Sequence, residues 1–401
     1  MNAGRVVIVG ASVAGSRVAS GLRQAGFTGL IALVDPDPDA PYDRPPLSKQ
    51  ILTGEWTPDR ASLGDPTQWQ AERHVMSAAG LDPVNRTLRL SSGLELPYDK
   101  LVLACGAVPR ALPGTPRRGV YPLRTMADSL RLRARLDGMA RPGRLVVAGG
   151  GFIGAEVASA ARARGIGVTI VEALPAPLSG LLGEEVAAEL ARLHTDNGVR
   201  LLCGTSVAAV TGDPDVTGVE LADGTTLPAD AVVAGVGVRP ATDWLADSGL
   251  PLDGDGGVLC DEFCAVDAGR TVYAVGDVAR CRDPRLGRHV RVEHWTDAVE
   301  QADVAVHNIL GPRPVAHRHE YFVWSDQYGG KVALLGRPEP GSQVTVVRAD
   351  GPRRRFAVAY HRGPRLCAAL TVNWPKALLA ARRSTGTPDG AEAAVTAWKS
   401  L

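Results

Sequence analysis

The chain has 401 residues, 45% hydrophobic and 22% charged, with a net charge of +1, and this length exceeds the ~250 residues at which a single core stops growing. Two or three globular units are expected. No stretch approaches the ~18 consecutive apolar residues of a membrane span, which excludes a membrane partner, and near-neutral charge argues against nucleic acid.

From Met1-Asn2-Ala3-Gly4-Arg5 the chain runs straight into Val6-Val7-Ile8-Val9, without the apolar region and cleavage site of a signal peptide. A cytoplasmic protein is expected. Val6–Val9 reads as a buried strand, Gly10-Ala11-Ser12-Val13-Ala14-Gly15 as a Gly-rich turn, the stretch to Ala25 as a helix, and Leu30–Val34 as a strand ending in Asp35. Residues 41–110 carry a Pro-rich turn at Pro45-Pro46, short strands near 86–96 and a buried strand Leu101–Ala104. The opening order then recurs. Leu145–Ala148 leads into Gly149-Gly150-Gly151-Phe152-Ile153-Gly154, a helix from Ala155 to Arg164, and a strand Val168–Val171 ending in Glu172. Buried strands Ala231–Ala234, before Gly235 and Gly237, and Val272–Val275, before Gly276-Asp277, follow. Thr296–Leu310 reads as a helix that Gly311-Pro312-Arg313-Pro314 breaks, which places a domain boundary there. Beyond it, residues 321–371 alternate as β-strands, Pro375–Arg383 forms a helix, and a polar Thr/Pro/Gly/Asp stretch is expected to be mobile.

A dinucleotide pyrophosphate needs backbone amides and a helix N-terminus close by, and side chains block that approach, so glycines recur at fixed offsets. The second turn has all three, Gly149, Gly151 and Gly154, and Glu172 follows Gly149 by 23 residues, in reach of a ribose hydroxyl. In the first, Gly10 and Gly15 are kept, Ser12 replaces the middle glycine, and Asp35 follows Gly10 by 25 residues. A lone turn of this kind is equally an ordinary tight βα turn. Two of them, each closed by an acid, point to two bound dinucleotides. The fold class is therefore α/β, with two Rossmann-like dinucleotide-binding domains of glutathione-reductase-like architecture and a C-terminal α+β domain.

The first turn, Asp35 and the string Pro41-Tyr42-Asp43-Arg44-Pro45-Pro46-Leu47-Ser48-Lys49 resemble the FAD half of the ferredoxin reductase family, which includes the reductases of biphenyl dioxygenases. Ala104-Cys105-Gly106-Ala107-Val108-Pro109-Arg110, Val275-Gly276-Asp277, Glu293-His294-Trp295 and Trp324-Ser325-Asp326-Gln327-Tyr328-Gly329 extend the likeness over nearly the whole chain. Cys105 stands where the family usually has Thr, at a position read as packing. The resemblance implies FAD on residues 1–110 and 237–312, NAD on 111–236, and a C-terminal domain over 313–401. By the same resemblance FAD meets Gly10, Ser12, Ala14, Gly15, Asp35, Arg44, Lys49, Ala78, Arg110, Arg124, Gly276, Asp277, Glu293, His294 and Trp295. NAD meets Gly149, Gly151, Phe152, Ile153, Gly154, Glu156, Glu172, Gly235 and Gly237. Lys49, Glu156 and Trp295 take the catalytic roles, although Glu156 reads equally well as a solvent-facing glutamate in a first helical turn. Glu172 is an anion where NADP carries its 2′-phosphate, and no Lys or Arg occurs before Arg192, so NADH is favoured over NADPH.

Hydride passes from nicotinamide to flavin, and the protein positions the two rings. Related disulfide reductases pass electrons on through a Cys pair near the first helix, but residues 36–60 contain no cysteine. The six cysteines show no zinc spacing either; no metal is expected, and Cys260 and Cys264 read as a structural pair. One-electron outflow to a small [2Fe-2S] or related ferredoxin that serves a P450 or Rieske-type oxygenase is the leading expectation. Residues 280–401 hold 19 Lys and Arg against 11 Asp and Glu, leaving the first 279 residues at −7. Arg280, Arg282, Arg285, Arg288 and Arg291, against Asp283 alone, suggest a basic loop where an acidic ferredoxin docks, or simply a solvated surface. A flavoenzyme acting directly on a quinone, monodehydroascorbate or peroxide, and a flavoprotein of the apoptosis-inducing-factor type, stay open, as do a monomer and a homodimer.

Overall fold

The structure, a computed structural model, describes residues 4–114, 118–349 and 354–401; the first three residues, part of the segment read as lacking a leader, lie outside that range. The chain divides into two compact units. The first comprises the chain up to Pro45, Trp56–Val108 and Val238–His319, and the second comprises Pro46–Glu55, Pro109–Gly237 and Glu320–Leu401.

In the first unit the apolar runs become a five-stranded parallel sheet in the order Val272–Ala274, Lys100–Leu103, Arg5–Val9, Leu30–Val34, Ala71–His74. Strands covered on both faces need continuous rather than alternating apolar sequence. Val7, Ile8, Leu33, Leu101, Val102 and Leu103 are accordingly inaccessible to solvent. Helix Val13–Gln24 turns Ala14, Val18, Ala19 and Leu22 inward. Gly21 faces Val306 of helix Trp295–Leu310, where a Cβ would stand 3.1 Å from a Val306 methyl. The unit also holds two three-stranded sheets, one over Ala78–Asp82, Thr87–Leu90 and Glu95–Pro97, the other over Val258–Cys260, Ala279–Asp283 and Arg288–Val290.

The second unit repeats the parallel sheet, in the order Arg200–Cys203, Gly167–Glu172, Arg144–Ala148, Ala231–Ala234, Val120–Tyr121. Helix Met126–Asp137 begins in a capping box between Thr125 and Asp128, which satisfies amides that the first turn leaves open. The C-terminal part is a five-stranded antiparallel sheet, Val323–Gln327, Gly330–Gly336, Arg365–Val372, Arg355–Arg362, Gln343–Ala349 in spatial order. Its inner face shares a core with Leu182, Val186 and Leu190. The fold class expected from the sequence is thus present.

One expectation changes here. The polar stretch after helix Pro375–Ser384 is only a short link to a further helix, Gly390–Lys399. Ala391, Ala394 and Trp398 face inward, and the indole N–H of Trp398, 1% exposed, donates to the Ala377 carbonyl. With alanines as most of its apolar face, the segment shows little contrast in sequence, and the single Trp anchors it.

Candidate active site

The two Gly-rich turns are superposable in their physical logic. Gly10 has φ +105° and Gly149 φ +100°, a region that side chains rarely enter. A Cβ at either would stand 2.2 Å from a carbonyl of the neighbouring strand's exit, Ala104 in one case and Gly235 in the other. A Cβ at Gly15 would stand 1.8 Å from the Gly10 carbonyl, and one at Gly154 2.1 Å from that of Gly149. These glycines let each helix press against its own strand. The middle position behaves differently. Gly151 has φ −68°, and a Cβ there would meet nothing within 4 Å; Ser12 occupies the same place with φ −78°. The protein's own packing therefore accepts a side chain at this point, and only a ligand approaching the helix N-terminus constrains it.

Each turn is closed by the acid at the end of the next strand. Asp35 accepts from the Ala11 N–H at 2.6 Å and the Asp37 N–H at 2.9 Å. Glu172 accepts from Gly150 at 2.8 Å and Leu174 at 2.9 Å. A half-buried carboxylate beside a ring of amides is the acceptor that ribose hydroxyls require. Open room over Gly151, the partly exposed Ser12 and these carboxylates fit a dinucleotide in each turn.

Within the first unit Gly276, buried at φ +75°, sits against the Gly-rich helix, since a Cβ there would lie 3.4 Å from Cβ of Ala14. Asp277 follows it, half-buried. Trp295 opens helix Trp295–Leu310 after His294, and its indole N–H donates to Asp43 at 2.7 Å, beside Arg44. Glu293 is on the surface, ion-paired to Arg291 at 3.2 Å. Ala78 starts a strand of the small sheet paired with Leu90.

Lys49, Arg110 and Arg124 belong to the second unit. The Arg110 N–H donates to the Gly237 carbonyl, and the Arg124 N–H to Asp128. Phe152 and Ile153 open helix Phe152–Ala163, Ile153 exposed, Phe152 packed toward the C-terminal core. Glu156 does not face solvent. It is 4% exposed, ion-paired to Lys49 Nζ at 2.9 Å, and accepts from Ser48 Oγ at 2.5 Å, Ser325 Oγ at 2.7 Å and Asp326 N at 3.3 Å. A carboxylate is buried at such a site only because its charge is paired and its lone pairs are taken. The cluster lines a cavity of about 650 Å³ together with Ser159, Tyr328 and Lys331. Ser48, Ser325 and Asp326 escaped the sequence reading as Glu156 partners, although all lie in strings that carry the family likeness.

Two further corrections concern the segment after Asp277. The five arginines are not on a free loop: Ala279–Asp283 and Arg288–Val290 pair antiparallel as a hairpin. Arg280 is paired with Asp253, Arg282 lies 3.5 Å from Glu262, Arg285 3.2 Å from Asp283, and Arg291 pairs with Glu293, so acids both upstream and within the segment lie against four of the five arginines. The cysteines also group otherwise. Cys260 and Cys281 are register partners on adjacent parallel strands, with their sulfurs 3.0 Å apart, and Cys264 lies 3.7 Å from Cys281. Contact with Cys281 and burial push the Cys260 and Cys264 thiols well up, which suits inert packing groups.

Residues 4–302 match the pyridine nucleotide-disulphide oxidoreductase family. The chain belongs to this family. Residues 322–397 match a second family, described as reductase C-terminal. The chain is 38% identical over 390 residues to the ferredoxin–NAD(+) reductase component of an anthranilate 1,2-dioxygenase system from Burkholderia cepacia, covering 96% of this chain and 94% of that one. It is 36% identical over 392 residues to rhodocoxin reductase of Rhodococcus erythropolis, covering 95% and 89%. Among solved structures, a ferredoxin reductase from Rhodopseudomonas palustris superposes with a TM-score of 0.89 at 32% identity, over 97% of each chain. The covalent putidaredoxin reductase–putidaredoxin complex does so with 0.87 at 34%, over 94% of this chain and 91% of that one. The chain is an NADH-dependent oxidoreductase whose cofactors are FAD and NAD(H). Among the described residues no helix is long and apolar enough to cross a membrane.

Proposed function

We propose that the chain is a ferredoxin reductase that carries electrons from NADH through FAD to a small iron–sulfur ferredoxin of an oxygenase system. The observation that carries this is the duplicated cradle, two glycine turns each closed by its own carboxylate, in a chain without cysteine over residues 36–60. FAD, when bound, would take one hydride, an electron pair with its proton, from NADH and release the two electrons singly. Similarity to reductase components named for ferredoxins, and to a reductase solved with its ferredoxin attached, supports that acceptor. FAD is assigned to the first unit's turn, with Asp35 on its ribose and Gly276-Asp277 on its pyrophosphate side. NADH is assigned to the second unit's turn, where Glu172 binds the ribose and repels a 2′-phosphate. Lys49, held by Glu156, supplies positive charge to the reduced flavin. The six thiols carry no disulfide, which supports a cytoplasmic location.

Anaerobic titration of the purified, yellow protein with NADH tests the reading. NADH is expected to bleach the flavin stoichiometrically, NADPH only at far higher concentration, and the reduced protein to reduce an added [2Fe-2S] ferredoxin. A colourless protein sinks the cofactor assignment; bleaching with prompt quinone reduction and no ferredoxin reduction transfers the function to a small-molecule acceptor.

The ferredoxin dock is assigned to the hairpin carrying Arg280 to Arg291. Arg282 and Arg288 are exposed there, and an exposed pair such as Arg282 with Glu262 contributes only about 0–1 kcal/mol, leaving the arginine available to a partner. R282E combined with R288E is expected to lower kcat/KM for ferredoxin about tenfold and flatten its salt dependence, with NADH–ferricyanide turnover unchanged. Wild-type ferredoxin kinetics in this variant remove the hairpin from the interface.

A further inference from the structure

In the first unit, a chain of buried polar groups runs along helix Trp295–Leu310 to the turn at Gly276. Gln301 is 1% exposed; its Oε1 accepts from the Gly276 N–H at 2.7 Å and its Nε2 donates to Asp297 Oδ2 at 2.6 Å. Asp297, 2% exposed, turns its other oxygen to His317 Nε2 at 3.0 Å and His319 Nδ1 at 2.6 Å, and both imidazoles are buried. The 2.6 Å separation is a hydrogen-bond length. It is shorter than the about 3.0 to 3.4 Å between neighbouring ligands that each sit about 2.1 Å from a metal, so the cluster reads as a hydrogen-bond network.

The network has a direction. A carboxylate only accepts, so the end of Gln301 that faces Asp297 must be its NH2, which leaves the oxygen for the Gly276 N–H. Were the amide reversed, two donors would face each other at Gly276 and two acceptors at Asp297. Burial raises the affinity of Asp297 for a proton, but the hydrogen bonds from His317 and His319 outweigh it and hold this carboxyl below its usual range. Gly276 is buried, and a Cβ built there would lie 3.4 Å from Cβ of Ala14 and 3.6 Å from that of Ala298, so the turn packs between two helices.

We infer that Gln301 is a positioning residue for the flavin turn: Asp297, clasped by His317 and His319, sets the Gln301 amide so that its oxygen fixes the Gly276 N–H and with it the aim of Asp277. This rests on the reading above that Gly276-Asp277 meets FAD. Asp297→Asn preserves shape but adds a donor, so the amide is free to reverse; Gln301→Met removes both bonds.

The test titrates FAD into apoprotein and measures the reduction potential of the bound flavin. Both variants are expected to raise the FAD dissociation constant about tenfold, as loss of one buried hydrogen bond does, and to shift the potential. The double variant is expected to be no weaker than Q301M, because both substitutions break one chain. A merely structural role lowers the unfolding temperature of the apoprotein and leaves FAD affinity and potential at wild-type values, which overturns the inference. Should Q301M fail to fold, D297N decides alone. Stoichiometric metal in the wild type, stripped by a chelator together with FAD affinity, also overturns it. A wild-type protein that binds no FAD refutes the proposed function instead.

Discussion

Gly154→Ala is expected to abolish reduction of the protein by NADH while leaving it yellow, and Gly15→Ala to do the reverse damage, yielding protein without flavin. The cause is the same in both. A methyl at Gly154 arrives 2.1 Å from the Gly149 carbonyl and 3.2 Å from a Val147 methyl; one at Gly15 arrives 1.8 Å from the Gly10 carbonyl. The obstacle is backbone, which no rotamer change relieves, so helix Phe152–Ala163 or Val13–Gln24 must lift from its strand. That lift carries away the helix N-terminus, whose amides and dipole bind the pyrophosphate. Gly154 and Gly15 lie in different units, so each loss is expected to stay in its own unit. Dithionite must still bleach G154A fully, while NADH leaves its spectrum unchanged over many wild-type turnover times. Wild-type bleaching of G154A by NADH refutes the assignment of NADH to the second turn. A contrasting substitution sharpens the point: Ser12→Gly is expected to keep flavin, because that position has φ −78° and Ser12 makes no side-chain cap bond there.

The duplicated turns were legible because everything they depend on is local. Strand, tight turn, helix and terminal acid lie within one βαβ stretch, and Ala11 with Asp35 or Gly150 with Glu172 are only 24 and 22 residues apart. What escaped is what folding brings together from afar. Ser325 reaches Glu156 across 169 residues and Lys49 reaches it across 107, so the same glutamate that reads as a surface residue of a first helical turn is a buried ion-pair partner. The arginine hairpin shows the converse: Asp283 and Glu293 are the acids near it in sequence, but Asp253 and Glu262, from segments upstream, also pair with Arg280 and Arg282. Cys260 was grouped with Cys264 by proximity in sequence, whereas strand register puts it opposite Cys281. His317 and His319 gave no signal at all, since their meaning lies in Asp297 on a preceding helix.

Lys49→Met is expected to slow flavin reduction by NADH on the order of 10²-fold, the size seen when a preorganised charge-stabilising group is removed from a dry site. The Lys49 side chain is 11% exposed and that of Glu156 4%, so neither charge is well solvated. Breaking a buried pair by deleting one member costs about 3–5 kcal/mol when the survivor is left uncompensated. The two members are not equivalent in this respect. In K49M the Glu156 carboxylate keeps the hydroxyls of Ser48 and Ser325 and the Asp326 N–H. In Glu156→Leu those three donors and the Lys49 ammonium all lose their acceptor together. Thermal unfolding is therefore expected to drop much further in E156L than in K49M, whereas stopped-flow flavin reduction drops strongly in both, because E156L also lets the ammonium swing away. Comparable unfolding temperatures would mean the donors around Glu156 find water in its absence. A K49M protein that is reduced by NADH at the wild-type rate would confine this pair to holding Pro46–Glu55 onto the second unit, and the charge on the flavin would need another source.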